Sequence, residues 1–507
     1  MSDRKIIIIG GGIAGLSAGC YLRMNGYETT IYESHHSPGG LCTSWKREGY
    51  TFDGCIHWLV GSGPDDDFYD LWNELIDMRQ LQIMDYEEFF RVEDEDRKSL
   101  RVFTDIDRLE REMKDVAPGD SEIIEGFAAA ARKCLRIRLP IKRAPEVYGF
   151  LDTVKFFAKI LPLFRIYRKW GKLSAADLAA RCKNPLLQKA ILHMFLPDSS
   201  VLFLLMTLAW MHKKSAGYPI GGSLNFARLI ENRYKELGGD IVYQSKATKI
   251  FVDGDQAKGI QLENGERHNA DVIISAADGH YTLFEMLEGK YVSDEVRAFY
   301  KDLKIFPSLV MVSLGIARAF GGEPPCLIFP LKDPFVIDER SKQEEMYVRI
   351  FNYDPTLAEK GKTCITVMFG TEHYEYWRDL RSGDKEKYDE EKERIARATI
   401  EILDNRFGNI KDNVEVWDVA TPATLIRYTN NWKGSFEGWL PTPKAIRLRM
   451  KKTLPGLRNF YMIGQWVEPG GGLPPALTSG RNVTQMICKQ DKKEFRIMTR
   501  SGKGKND

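Results

Sequence analysis

The 507-residue chain predicts an α/β fold, a parallel sheet wrapped by helices, and three observations carry that expectation. The apolar run Ile6-Ile7-Ile8-Ile9 stops at Gly10-Gly11-Gly12-Ile13-Ala14-Gly15, and a helical pattern then passes through Leu16, Ala18, Tyr21 and Leu22. A second short strand from Glu28 to Tyr32 ends at Glu33. Far along the chain, 457–464 reads as another strand, followed by a glycine-rich loop and an apolar helix containing Val483 and Ile487.

Each part of the first unit has a mechanical reason. Gly10, Gly12 and Gly15 fit G-x-G-x-x-G: the first permits the tight turn, the second lets backbone approach a pyrophosphate, and the third lets helix pack on strand. The helix N-terminus beginning at Ile13 and Ala14 offers free N–H groups and a positive dipole end to phosphates. Glu33, with Ser34 beside it, falls where a carboxylate accepts hydrogen bonds from an adenosine ribose and repels a 2′-phosphate. Strand, turn, helix, second strand and acid together predict dinucleotide binding.

The next segment separates flavin from nicotinamide. Ser37-Pro38-Gly39-Gly40-Leu41-Cys42 stands where a plain dehydrogenase starts its next helix, and paired glycines let the chain pass close to a bound isoalloxazine or its ribityl linker. At the far end, Pro469-Gly470-Gly471-Gly472-Leu473-Pro474-Pro475-Ala476 opens a helix whose N–H groups suit the N1–C2=O2 edge of a flavin. The cofactor expected is therefore FAD.

With these motifs in place, the chain resembles the phytoene desaturase, carotenoid isomerase and retinol saturase group of FAD-dependent oxidoreductases over nearly its whole length. The likeness is carried by Gly39-Gly40 with Phe52-Asp53-Gly54-Cys55-Ile56-His57-Trp58, by Gly217-Tyr218-Pro219-Ile220-Gly221-Gly222 and by Ala270-Asp271-Val272-Ile273-Ile274-Ser275-Ala276-Ala277. Asp354-Pro355-Thr356-Leu357-Ala358 and Thr421-Pro422-Ala423-Thr424, with Arg427-Tyr428 just after, complete it. The chain departs from that pattern with Leu41 after the paired glycines, and with Gln465, where many relatives have an acid, after Gly464. Gln465 remains able to hydrogen-bond a ribityl hydroxyl. A single G-x-G-x-x-G leaves no separate nicotinamide domain visible, so the electron partner stays open.

Composition fits a globular protein with two or three domains: 43% hydrophobic and 28% charged residues, with net charge +2, which excludes bulk nucleic-acid binding. The 8 cysteines are scattered without a C-x-x-C pair, so neither a zinc site nor a disulfide framework is expected and no metal is assigned. Met1 to Lys5 runs straight into the first strand, leaving no room for a signal peptide, and no apolar stretch reaches the ~18–20 residues of a spanning helix. The expected location is cytoplasmic and peripherally membrane-associated. Cations crowd between Arg132 and Lys172, opposed in sequence only by Glu146 and Asp152, while Phe150, Val154, Phe157, Leu161 and Phe164 recur at helical spacing. That pattern reads as a membrane-surface helix, divided or kinked at Pro162, or as an ordinary core helix with a solvated basic face.

The expected architecture is a discontinuous Rossmann-type FAD-binding domain (1–80, 215–290 and 415–490), a mostly helical, partly membrane-facing cap (81–214) and a mixed-sheet substrate domain (291–414). Its best strands lie at 308–314 and 363–369, and a basic disordered tail follows at 491–507. The segment 238–243, followed by Ala247 and Ile250, is expected as a strand pair whose backbone reaches the adenine side. A hydrophobic small molecule would enter between cap and sheet and meet the flavin at the domain interface.

The resemblance implies an oxidoreductase acting on carbon–carbon bonds of an extended apolar carotenoid, retinoid or other isoprenoid by desaturation, saturation or isomerisation. FAD would carry the redox chemistry and the protein would supply position and dryness. His57 is either a proton donor or a hydrogen-bonded histidine beside the cofactor. Arg427 and Tyr428 either orient substrate and stabilise charge or are structural. An amine oxidase-like flavoenzyme and a non-enzymatic prenyl-binding protein like the Rab GDP-dissociation inhibitors remain rival readings. The first would need an aromatic cage and often a cysteine in the C-terminal loop, absent from 470–480, and that intact loop argues against the second.

Overall fold

The isoleucine run forms β1 (Lys5–Ile9), the middle strand of a five-stranded parallel sheet, in a computed structural model that describes residues 4–498 and 504–506. After α1 (Ile13–Met24) come β2 (Glu28–Tyr32), β3 (Asp240–Val242), β4 (Val272–Ser275) and β5 (Phe460–Met462), in the spatial order β3-β2-β1-β4-β5. Ile6 lies opposite both Thr29 and Val272. Because successive side chains face opposite ways, Ile6 and Ile8 pack with α1, α2 (Gly222–Glu236) and α3 (Leu473–Gln490). Ile7 and Ile9 pack with a three-stranded antiparallel sheet made by 247–253, 256–262 and 267–269. Covering both faces is what makes this strand a continuous apolar run.

The second large sheet has seven strands, running 414–420, 308–316, 363–371, 341–350, 326–338, 88–93 and 99–103. Alternation again sorts its faces. Val310, Val312, Val367 and Phe369 pack under the long helix Lys385–Phe407 with Ile395 and Leu403. Leu309, Met311, Met368 and Tyr347 turn the other way and line a cavity of about 1690 Å³. The opposite wall comes from Leu192–Pro197, Phe203 and Trp210 of the helical region.

Some elements differ from the sequence expectation. Strands 88–93 and 99–103 lie in the stretch expected as mostly helical, yet 88–93 pairs parallel with 326–338 and so joins the seven-stranded sheet. Strand 414–420 also belongs there, beside 308–316. Residues 240–242 and 247–253 are not a pair: β3 adds to β2, and Gln244, at φ 53°, turns the chain out of that sheet. The last strand is shorter than 457–464, because Asn459 at φ 59° precedes Phe460. The helix Phe150–Ile166 passes through Pro162 without a break and ends in a π turn at 167–171. Part of the basic tail is ordered: Ile497 is buried and Arg496 carbonyl accepts from Asn25 Nδ2 at 3.0 Å. Residues 499–503 and 507 of that tail lie outside the described residues. All eight cysteines are free thiols, and no helix among the described residues is long and apolar enough to cross a membrane.

Candidate functional site

The phosphate-type loop has the shape its glycines require. Gly10 takes φ 99°, and a Cβ on Gly15 would sit 2.0 Å from Gly10 O, so the start of α1 is pressed against the turn. Gly12 is the N-cap of α1 with no side-chain acceptor, leaving the first-turn N–H groups of Ile13, Ala14 and Gly15 uncapped by a side chain. A Cβ on Gly12 would meet nothing closer than Gly39 O at 3.8 Å, so that flank of the loop is open. The paired glycines run alongside: Gly39 N–H donates to Gly11 O at 2.9 Å, and Gly39 and Gly40 take φ 106° and 60°.

Glu33 closes the end of β2. Its carboxylate accepts from Gly11 N–H at 2.5 Å, His35 N–H at 2.7 Å and Ser34 Oγ at 3.3 Å. Burial raises its pKa, and those hydrogen bonds hold it back. Ser245 N–H donates to Glu33 O at 2.8 Å, which brings the start of 247–253 against β2, and Ala247 packs with Ile9 and Tyr32.

The C-terminal segment returns to α1. Gly464 N–H donates to Ser479 Oγ at 2.9 Å, and a Cβ on Gly464 would touch Ala14 Cβ at 3.4 Å. Ser17 Oγ donates to Leu477 O at 2.9 Å. Gly470, Gly471 and Gly472 all take positive φ, and Gly472 is the N-cap of α3, again with no capping side chain. Ala476 lies in the first turn of α3, behind the cavity wall. Gln465 turns its amide to Asn431 Oδ1 at 3.0 Å. Among the expected cofactor residues, Gly40, Leu41, Gly472 and Leu473 line the cavity, whereas Gly10 to Gly15 and Glu33 lie outside its lining.

The three candidate catalytic side chains line different walls of that cavity. Arg427 and Tyr428 stand together, the guanidinium 5.0 Å from the Tyr428 ring centre, and Tyr428 meets His35 edge-on at 4.9 Å. His57 lies elsewhere, held through its backbone. Asp53, buried, accepts from Tyr218 OH at 2.7 Å, Ser223 N–H at 3.3 Å and Cys55 N–H at 3.4 Å. Ser223 Oγ accepts from Ile56 N–H at 2.8 Å, and Asp354 Oδ2 accepts from Gly221 N–H at 3.0 Å. The motif residues Asp53, Tyr218, Gly221 and Asp354 thus act as one clamp that presents 55–58 to the cavity.

Behind His57 sits a group that the sequence did not disclose. Tyr86 OH donates to His57 O at 2.9 Å, and Arg349 Nη2 donates to Tyr353 OH at 3.0 Å and reaches Tyr86 OH at 3.5 Å. Arg349 is buried with no carboxylate partner among the described residues. Desolvation, with the Arg349 charge added, holds the His57 imidazole well below its ordinary range. The ring is half-buried and lines the cavity, and the lowered pKa favours its neutral form.

The apolar wall was also scattered in sequence. Phe89 meets Trp58 at 5.2 Å, Trp58 meets Phe195 at 6.3 Å, and Phe195 meets Phe203 at 4.5 Å and Phe306 at 5.8 Å. Phe306 continues to Phe436 at 5.1 Å, beside the glycine loop. Next to Phe436 stands Glu437, a further cavity residue not singled out from sequence. Its only signal is that it is the sole charged residue between Gly434 and Pro441.

Residues 8–75 match the family of NAD(P)-binding Rossmann-like domains. The chain is 27% identical to prolycopene isomerase 1, chloroplastic, of an Oncidium hybrid cultivar, over 94% of this chain and 82% of that protein. It is 22% identical to a phytoene desaturase of Phycomyces blakesleeanus, over 96% of this chain and 85% of the relative. Among solved structures, an oxidoreductase from Methanosarcina mazei superposes with TM-score 0.61 at 17% identity, covering 95% of this chain and 100% of that one. Wild-type putrescine oxidase bound to putrescine gives 0.58 at 14%, covering 96% and 99%. These structural likenesses establish a shared fold. The sequence likenesses make the chain a homologue of those relatives along nearly its full length.

Proposed function

We propose that this homologue of prolycopene isomerases and phytoene desaturases is an FAD-dependent oxidoreductase-class enzyme that acts on carbon–carbon double bonds of a carotenoid or similar long polyene. The observation that carries the reading is the aromatic cavity wall from Phe89 and Trp58 to Phe436, which ends on the Gly470 to Leu473 loop. At about 1690 Å³ the cavity exceeds the ~300–1,000 Å³ of a drug-sized pocket, as a long chain beside a flavin requires. Gly10, Gly12 and Gly15 with the uncapped start of α1 fit a pyrophosphate, Glu33 and Ser34 a ribose, and Gly39 to Leu41 with Gly464, Gln465, Gly472, Leu473 and Ala476 the flavin end, while Ala247 is assigned to the adenine side. When bound, the flavin supplies electron-transfer chemistry at a carbon chain. The protein's own contribution is an aromatic cavity wall, His57 with its lowered pKa and the clamp that holds it. The test is the visible spectrum of the purified protein, followed by chromatography of poly-cis lycopene incubated with it in phosphatidylcholine vesicles. Flavin absorbance and altered double-bond geometry or number are expected; a colourless protein that leaves the polyene unchanged refutes the reading.

The same reading places the protein at a membrane surface through the helix Phe150–Ile166. Phe150, Leu151, Phe157, Leu161 and Phe164 are 83%, 72%, 61%, 51% and 54% exposed, which disfavours the core-helix alternative. Burying each in acyl chains gains roughly 1.5–3 kcal/mol. Several nearby cations are already engaged: Arg132 with Asp107 and Glu110, Lys142 with Asp70, Arg143 with Asp152. The salt-sensitive part of binding therefore rests mainly on exposed Lys155, Lys159, Arg165 and Arg168. Vesicle co-sedimentation of wild type and a Phe157→Glu/Leu161→Glu variant checks this. Pelleting that the variant retains in full, or that wild type lacks, removes the membrane assignment.

A further inference from the structure

Glu437 is a carboxyl side chain placed where the aromatic wall meets the glycine loop, and the fold gives it nothing to do there. It lines the cavity beside Phe436 and Gly471. The loop carrying it is fixed from both sides: Gly470 N–H donates to Trp439 O at 3.1 Å, and Gly438 leaves room for no Cβ against Gln465 O, which would stand 2.4 Å away. The carboxyl lies over Gly471, where a Cβ would come within 2.0 Å of Glu437 Oε2. The fully buried acids of this chain are partnered. Asp53 accepts from Tyr218 and Ser223, Asp278 from Tyr281 N–H and Trp432 N–H, and Glu93 pairs with Arg406. Among the described residues, no hydrogen bond or ion pair reaches the Glu437 carboxyl, although its backbone carbonyl accepts from Ser435 Oγ. A partnerless polar group in an apolar wall costs stability that Leu or Met would not, so its retention calls for a reason.

We propose that Glu437 is a catalytic residue, the group that exchanges a proton with the polyene; the inference rests on the flavin-and-polyene reading above. Desolvation alone pushes its pKa to about 8, so the acid carries its proton at neutral pH. The charged groups of the flanking loops do not offset this: Lys433 Nζ lies over the Trp432 ring at 4.5 Å, and Glu468 pairs with Lys452 at 2.6 Å. On the cavity wall opposite, Glu345 is engaged by His193 at 2.7 Å and Lys189 at 2.6 Å. In a double-bond isomerisation the Glu437 O–H bond breaks as the π electron pair forms a C–H bond at one end of the double bond. The positive charge left spreads along the remaining polyene, facing the aromatic rings of Trp58, Phe195 and Phe436. With the π bond gone the linkage rotates. Return of a proton from the same carbon to the carboxylate restores the double bond in its new geometry and regenerates the acid. No electron leaves the substrate.

The experiment compares wild type, Glu437→Gln and Glu437→Asp. Flavin absorbance measures cofactor content, poly-cis lycopene in phosphatidylcholine vesicles measures turnover, and mass spectrometry of product formed in D₂O measures proton exchange. Infrared spectroscopy follows the carbonyl stretch of a protonated carboxylic acid, independently of turnover. The expected result is full flavin content in all three, turnover reduced about 10²–10⁴-fold in Glu437→Gln and partly restored in Glu437→Asp. Wild-type product should carry deuterium, and a component of the carboxylic band with a midpoint near pH 8 should be present in wild type and missing from Glu437→Gln, over the background of other raised acids such as Asp278. Near-normal turnover in Glu437→Gln, product without deuterium, or a wild-type-minus-Glu437→Gln difference spectrum with no carboxylic component near pH 8 each overturns the proposal. So does loss of flavin from Glu437→Gln, which would make Glu437 a cofactor-holding residue. A wild type without flavin sinks the proposed function instead, and the infrared result then still stands on its own.

Discussion

Two substitutions in one glycine motif separate a cofactor contact from a packing contact. At Gly12 the backbone is φ −69°, ψ 177°, a conformation any residue adopts, and a Cβ would have 3.8 Å to its nearest neighbour. Gly12→Ala should therefore fold normally, with stability unchanged or raised by the ~0.4–1 kcal/mol that a less flexible unfolded chain contributes. Its methyl group nevertheless occupies the flank through which a pyrophosphate must approach. At Gly15 the added carbon lies 2.0 Å from the backbone carbonyl oxygen of Gly10 and is fixed rigidly to the helix backbone, so α1 and the turn must separate by at least 1.0 Å to reach the 3.0 Å limit. Overpacking of that kind costs about 1–3 kcal/mol. The assay is thermal unfolding with and without added FAD, together with flavin content. Saturating wild type at ~100 times its dissociation constant should stabilise it by about 2.7 kcal/mol. Gly12→Ala should start at or slightly above the wild-type apo melting temperature and gain nothing from FAD; Gly15→Ala should start lower and gain little. A Gly12→Ala protein that gains the full increment refutes the assignment of this loop, and a Gly15→Ala protein as stable as wild type refutes the packing account.

Other outcomes follow from buried charge. Because His57 is held below its ordinary pKa of ~6.5, its neutral form contributes stability above that pH, and the contribution is lost as pH falls through 6.5 toward the folded value. Arg349→Met, which removes the cation but not the burial, should move the His57 titration upward without restoring 6.5, read by NMR of ring-labelled histidine; an unmoved titration contradicts the role given to Arg349. Asp53→Ala strands Tyr218 OH and the N–H groups of Ser223 and Cys55, each worth ~1–3 kcal/mol when unsatisfied. It should destabilise the protein by at least about 2 kcal/mol in denaturant titration, whereas Asp53→Asn, which keeps one acceptor for the two amides, should cost less; equal costs would remove Asp53 from the clamp.

What the sequence disclosed and what it withheld divide along a physical line. The nucleotide-type sheet was legible because its demands are local: β1 must be apolar on both faces, the turn needs glycine at Gly10, and Glu33 must end β2, all within one short stretch. The cavity wall was not, because no local rule binds Trp58, Phe195, Phe306 and Phe436, which meet only when four separate segments fold together. The strand at 88–93 was missed for the same reason, since its parallel partner at 326–338 lies far along the chain. For the 150–166 helix the sequence left two readings open: periodicity gave the spacing of Phe157, Leu161 and Phe164 but not the direction they face, and the fold turns them outward. Glu437 is the sharpest case. A lone glutamate in a loop reads as solvated, and only the packing of 438–439 onto 465–470 half-buries it beside the glycine loop. Desolvation is a property of the tertiary surroundings, so the acid with the shifted proton affinity could be found only after the glycine loop beside it had been placed.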